Sequence, residues 1–176
     1  MSLYVDDLLL TGNNLKLIEE FKEEMMQVFE MIDLGLMSYF LGMEIKQSKS
    51  EVFICQKKYA KEILKKFQMD CRPMSEPMNQ KEEFCKEDGA DKVDEGYYRS
   101  LIGCLTYLIA TRPDILFVVS LLSRFMHYAS GMHLRAAKRI LRYIKGTVDY
   151  GVKFEKSQAS SCLVSRIVIG LDPLMI

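Results

Sequence analysis

Two adjacent carboxylates, Asp6 and Asp7, are the residues best placed to do chemistry in this chain. They stand between two short apolar runs, Leu3-Tyr4-Val5 and Leu8-Leu9-Leu10. Held at ~4 Å in an effective dielectric near 20, they repel by about 4 kcal/mol. Water, a cation or proton uptake must offset that. A hard divalent ion does it well, and Mg²⁺ takes one or two carboxylates plus substrate phosphates. Two such ions ~4 Å apart clamp the attacking and leaving oxygens in phosphoryl transfer. The alternative is a solvated Asp-Asp turn in an ordinary hairpin, because short motifs recur by chance.

Other candidate ligands are sparse. The five cysteines, at 55, 71, 85, 104 and 162, are scattered and form no CxxC pair. They suit a reducing compartment and argue against structural zinc. His127 and His133 have no ligand set near them in sequence, so a core or surface place is expected for both. The acids of the 82–95 segment have no metal-loop spacing and read as solvated.

The elements that must position the acids follow from pattern. Leu and Tyr suit strands and Asp suits a turn, so residues 2–10 read as a hairpin, ended by Thr11-Gly12-Asn13-Asn14. Asn13 or Asn14 can cap a helix. Leu15, Ile18, Phe21, Met25, Phe29 and Ile32 recur at helical spacing, with Glu19, Glu20, Lys22, Glu23 and Glu24 opposite and Gly35 as the stop. Residues 38–47 and 51–56 read as two strands around Ser48-Lys49-Ser50, followed by a helix at 57–68.

Pro73, Pro77 and Gly89 break any helix over 70–93, which reads as a loop grading into a charged linker. Tyr97, Leu101, Leu105 and Leu108 mark the next helix, and Thr111-Arg112-Pro113-Asp114 marks a break and restart. A second helix then runs to about Tyr128. The third, 132–146, carries Leu134, Ala137, Leu141 and Ile144 on its apolar stripe. Its polar side holds Arg135, Lys138, Arg139, Arg142 and Lys145 with no acid among them. Such a face can neutralise phosphates without reading sequence, or it can be a solvated face, or its charges can pair with the acidic linker.

Bulk numbers set limits. At 176 residues the chain forms one ordinary domain or two small ones. Its formal net charge is +0, so any pull on nucleic acid must be local. No basic segment precedes a long apolar run at the N-terminus, so no signal peptide is expected there. The longest apolar stretches, 101–110 and 115–122, fall short of the ~18 residues a spanning helix needs.

Four blocks together resemble one family. SLYVDDLLLTGNN is similar to the YxDD hairpin of the reverse transcriptase region of copia-type LTR retrotransposon polyproteins. FEMIDLGLMSYFLGMEI, YRSLIGCLTYLIATRPDI and HLRAAKRILRYIKGT resemble its later blocks, in the family's order, from about Ser2 to about Gln158. The resemblance implies an α+β fold: a partial palm (YxDD β-hairpin, helix, second hairpin) and then a helical thumb and connection. It implies Asp6 and Asp7 as catalytic Mg²⁺ ligands, with Tyr4 and Val5 shaping the hairpin beside the primer end. It implies RNA or DNA template-primer as partner, along with other parts of the polyprotein, and an intracellular, cytoplasmic setting. Neither membrane nor zinc is expected. The residues divide into 1–69 (palm and start of thumb), 70–93 (charged linker), 94–147 (thumb and connection), 148–158 (start of an RNase H domain) and 159–176 (tail).

The chain departs from the family in three ways. The family's fingers and first palm half, with another catalytic aspartate, have no counterpart before Met1. The hairpin is therefore expected to show an unpaired edge where its neighbouring strand is absent. Only the first strand of an RNase H domain is expected after Val148. From Ala159 the tail reads like the family's text one base out of phase, so a one-base deletion near the Gln158 codon is expected, with no selected role for Ser160 to Ile176. The expectation is a polymerase relative that is inactive in isolation. The alternative is a non-catalytic nucleic-acid-binding module that uses helix 132–146.

Overall fold

The computed structural model describes residues 1–5, 7–12, 14–48, 50–79, 84–86 and 89–155, and the backbone of 163–169. Asp6, parts of the 80–88 segment and the rest of the tail lie outside the described residues. The chain divides into two compact units, Met1–Ile54 with Lys153–Ile176, and Cys55–Val152. The architecture is mixed α/β. The division sets the helix after residue 56 with the later helices, rather than with the hairpins as the sequence boundaries at 69 and 70 have it.

In the first unit β1 (Ser2–Tyr4) and β2 (Asp7–Gly12) form the expected hairpin, with Tyr4 opposite Asp7. Helix α1 (Leu15–Val28) begins at Asn14, whose side chain accepts from the Lys16 and Leu17 amides at 3.1 and 3.4 Å. That satisfies two of the helix's orphan donors. Leu8 and Leu10 are buried against Ile18, Phe21 and Met25 of α1.

The helix ends sooner than its spacing predicts. Phe29 closes it, and Ile32 and Gly35 fall in β3 (Met31–Leu36). Gly35 sits at φ 71, and the register shifts between Asp33 and Leu36. This is a β-bulge with glycine at the residue that must go left-handed. Lys22, which the helical pattern places on the solvated acidic face, is only 9% exposed. Its ammonium meets both Asp33 oxygens, at 3.0 and 2.9 Å. A long aliphatic stem lets a lysine cover apolar surface while its charge finds a partner.

The edge of β2 is not open. Strand β8 (Leu163–Ile169) lies between β2 and β3, giving the order β1-β2-β8-β3. Its register sets Val168 opposite Asp7 on one side and opposite Ile32 on the other. The expectation of an unpaired β2 edge is thus corrected, and part of the tail forms an inner strand. The physical reason is composition: Val164, Ile167, Val168 and Ile169 are β-branched, and an open strand edge is a template for such a segment.

A second sheet in this unit has the order β4 (Tyr39–Phe40), β5 (Met43–Gln47), β6 (Glu51–Cys55) and β7 (Gly151–Glu155). The single strand expected over 38–47 is split by a tight turn at Leu41-Gly42, with φ 48 and 74. Lys153 pairs with Glu51 at 2.6 Å.

The second unit is helical: α2 (Lys57–Lys66), α3 (Glu95–Leu108), a 3₁₀ turn (Pro113–Ile115), α4 (Leu116–Ser123) and α5 (Gly131–Gly146). Ile63, Leu101, Leu105, Leu122, Ile140 and Leu141 lie in its core. Asp94 caps α3 by accepting from the Tyr97 amide at 2.6 Å. The buried tyrosine of α3 is Tyr98, not Tyr97, and its hydroxyl donates to the Leu122 carbonyl at 3.0 Å. Ser130 and His133 form a capping box for α5. His133 is buried and stacks on Phe125 at 4.1 Å, so of the core or surface place expected it takes the core.

The stretch after α2 is strapped to α5. Arg142 Nε donates to the Arg72 carbonyl at 2.8 Å, Lys145 Nζ to the Met69 carbonyl at 3.0 Å, and the Met74 amide to the Arg142 carbonyl at 3.2 Å. At its far end the Gly131 amide donates to the Asp91 carbonyl at 2.9 Å. Among the described residues no helix is long and apolar enough to cross a membrane.

Candidate functional site

The tip of the β1–β2 hairpin carries the acidic pair. Two residues, Val5 and Asp6, connect Tyr4 to Asp7. Val5 has φ 51, in the left-handed region that β-branched residues avoid. Strain of this kind persists where surrounding structure imposes it, and it clusters at functional sites. Asp6 itself lies outside the described residues.

Asp7 opens β2 and is half-buried. Strand alternation puts it on the sheet face away from Leu8, Leu10 and α1. Tyr4 meets the Phe40 ring edge-on, with centroids 5.8 Å apart and planes at 80°. The acidic hairpin is thereby tied to the β4–β5 hairpin within the same unit. Nothing in the sequence pattern pairs Phe40 with Tyr4.

Mg²⁺ would find one hard oxygen ligand in Asp7, the kind it takes alongside waters and phosphates. The cross-strand row through Asp7 reads Tyr4, Asp7, Val168, Ile32 and holds no second carboxylate. The acid of β3, Asp33, stands in the next row, opposite Ile167, and is bound to Lys22. Among the described residues no three His, Cys, Asp or Glu gather as a metal-ligand set. The described residues therefore do not fit a complete two-ion site.

The second candidate region lies on α5. Arg135, Lys138, Arg139 and Arg142 follow the i, i+3, i+4, i+7 spacing of one helix face. They line a cavity of 740 Å³ together with Phe67, Phe84 and Tyr97. Arg135 and Lys138 are exposed, and Arg139 and Arg142 half-buried. Lys145, whose ammonium donates to the Met69 carbonyl, is not among the lining residues. The aromatic residues of this cavity escape a charge-pattern reading. Phe84 alone carries a signal, as an isolated ring inside a charged segment.

Residues 1–80, which span the acidic hairpin, α1, the second sheet's hairpin and α2, match the family described as reverse transcriptase (RNA-dependent DNA polymerase). That family generally uses Mg²⁺. Beyond the matched segment, relatives extend the likeness. The chain is 36% identical over 162 residues to the retrovirus-related Pol polyprotein from transposon RE1 of Arabidopsis thaliana, covering 92% of this chain and 11% of the relative. It is 35% identical over 155 residues to that from transposon TNT 1-94 of Nicotiana tabacum, covering 82% of this chain and 12% of the relative. An uncharacterized mitochondrial protein of Arabidopsis thaliana is 40% identical over 156 residues, 88% of this chain and 65% of the relative. The chain is similar to the reverse transcriptase region of copia-type retrotransposon Pol polyproteins. It spans just under two thirds of the mitochondrial relative, at 65%, and about a ninth of the RE1 polyprotein, at 11%. No solved structure matches the chain.

Proposed function

We propose that this chain is the YxDD-bearing part of a reverse transcriptase, and that it does not polymerise alone. On this reading the first unit is palm, and the helices of the second are thumb and connection. Asp6 and Asp7 are the Mg²⁺ ligands, and Tyr4 and Val5 shape the tip beside a primer end. The partners are RNA or DNA template-primer and the remaining parts of a Pol polyprotein.

The observation that carries the reading is the row through Asp7. A two-ion site needs pre-organised oxygen ligands on rigid elements. Asp7 stands on such an element, at the start of a paired strand beside a strained turn. Its cross-strand neighbours Val168 and Ile32 bring no further acid.

The test is primer extension with Mg²⁺. The chain alone is expected to incorporate no dNTP, and template-dependent incorporation by it would overturn its inactivity. Fused behind the preceding reverse transcriptase segment of a related polyprotein, it is expected to incorporate dNTP. That activity should vanish with Asp7→Asn. If Asp7→Asn leaves the fusion's activity intact, the assignment of this hairpin fails.

A second reading has its own observation, the four cations that α5 gathers on one cavity. It is a non-catalytic nucleic-acid-binding module. Salt-sensitive binding of RNA or DNA that falls with Arg139→Glu and ignores Asp6→Asn would favour it.

A further inference from the structure

We propose that the cavity beside α5 holds one unpaired nucleotide of a polynucleotide strand, its phosphate on the α5 cations and its base against the aromatic rings. This rests on the nucleic-acid reading of the cationic face, and it narrows that reading from phosphate backbone in general to a single-stranded segment.

Three observations carry it. The first is shape. A duplex backbone can be held by charges on an open helix face, and it needs no recess. Here the charges rim a cavity of 740 Å³, within the ~300–1,000 Å³ common for small-ligand sites.

The second is the meeting of two chemistries. The lining brings Arg135, Lys138, Arg139 and Arg142 together with Phe84 and Tyr97. Among the described residues the lining includes no Asp or Glu. Tyr97 is 38% exposed, and Phe67 holds its ring edge-on at 5.5 Å and 85°. Cations neutralise a phosphate and rings stack on a base, so the pair fits a ligand with both. Unpaired bases stack on aromatic side chains, whereas paired bases keep their faces inside the duplex.

The third is pre-organisation. Arg139 and Arg142 each give their Nε to a backbone carbonyl, of Glu76 at 3.3 Å and of Arg72 at 2.8 Å. Those bonds hold two long side chains in place and leave the terminal nitrogens of each fork for the oxygens of a phosphate. Side chains already ordered lose less entropy on binding.

The experiment uses the full chain and fluorescence anisotropy. The probes are a blunt duplex and the same duplex with a short single-stranded overhang, each in DNA and in RNA. The overhang is expected to bind about tenfold tighter than the blunt end, the scale of one stacked base. Tyr97→Ala and Phe84→Ala should each cut that preference at least severalfold while leaving blunt-duplex binding in place. Tyr97→Phe should retain it. Far-UV melting of each variant at the wild-type temperature confirms folding, and Tyr97, being exposed, is the variant that secures the test.

Equal affinity for blunt and overhanging probes overturns the proposal while leaving the cationic face as a backbone binder. A preference that survives both alanine variants also overturns it. Binding of neither probe defeats the nucleic-acid reading beneath it as well. The sugar whose overhang is preferred identifies the strand.

Discussion

Arg112 and Asp114, two residues apart, form a two-pronged ion pair where α3 gives way to α4. Nε of Arg112 reaches Asp114 Oδ1 at 2.9 Å, and Nη2 reaches Oδ2 at 2.7 Å. The same guanidinium donates to the Thr147 carbonyl at 2.9 Å and to its hydroxyl at 2.8 Å. It lies 5.3 and 5.4 Å from the ring centres of Tyr143 and Tyr150. One side chain thus joins the Pro113 turn to the end of α5.

Replacing Arg112 should be among the most damaging single changes in the second unit. The residue is 3% exposed, so its removal leaves a partly buried carboxylate without its cation. Arg112→Ala is expected to lower stability by about 3–5 kcal/mol, the range for breaking a buried pair. Arg112→Lys should recover little, because an ammonium cannot make the paired fork contacts. Urea unfolding of both variants checks this, and an unchanged midpoint for either would contradict it.

The pair also sets a pH dependence. Burial pushes the Asp114 carboxyl up, but hydrogen bonds from Arg112 and Tyr143 and the Arg112 charge outweigh it, and the net shift is below the usual 3.8. A carboxyl depressed in the folded state contributes stability that is fully present above its unfolded value. That contribution is lost as pH falls through the lower folded value. The stability gap between wild type and Asp114→Asn should therefore be constant from neutral pH down to about 5 and close below pH 3.8. Unfolding midpoints across that range measure it; a gap that widens on acidification would refute the assignment.

At the acidic hairpin, Val5 carries backbone strain with little packing to lose, being 75% exposed at φ 51. A left-handed residue with a Cβ costs roughly 1–2 kcal/mol, while glycine there is free of that cost but loses more entropy on folding. Val5→Gly is expected to raise stability by about 0.5–1 kcal/mol. A thermal scan decides; a lower Tm would mean that the valine side chain contributes more than its strain removes.

The inner position of β8 is testable through its backbone. Proline cannot donate to a ladder and is excluded from central strands. Ile167→Pro, opposite Leu8, should weaken the pairing of β2 by more than the ~1 kcal/mol of one net hydrogen bond. Amide hydrogen exchange along Leu8–Gly12 should quicken severalfold in the variant. Unchanged protection would show that β2 does not depend on this strand.

The sequence by itself determined the local elements and the chemistry they carry. Asp6-Asp7 between apolar runs marks the hairpin, Asn14 marks a helix start, and the i, i+3, i+4 rhythm of residues 132–146 marks α5 with its cations. Each depends on neighbours within about one turn of chain, which is the range that periodicity, capping and turn preferences report. Even there the same rhythm misplaced the end of α1. Ile32 and Gly35 keep helical spacing, yet they belong to a strand because pairing with β8 offers them a ladder.

Tertiary structure alone decided which polar residues go inside and what stands beside Asp7. Lys22 and Arg112 are charged in any local pattern; only Asp33 in one case, and Asp114 with Thr147 in the other, make their burial tolerable. Tyr98 takes the core in place of Tyr97 because a carbonyl at Leu122 waits for its hydroxyl. The row Tyr4, Asp7, Val168, Ile32 joins strands from three parts of the chain, and no local rule connects them. The cavity beside α5 arises in the same way, from rings and cations that meet only when separate helices pack. Burial and pairing depend on partners far along the chain, and distance in sequence is what local pattern cannot read.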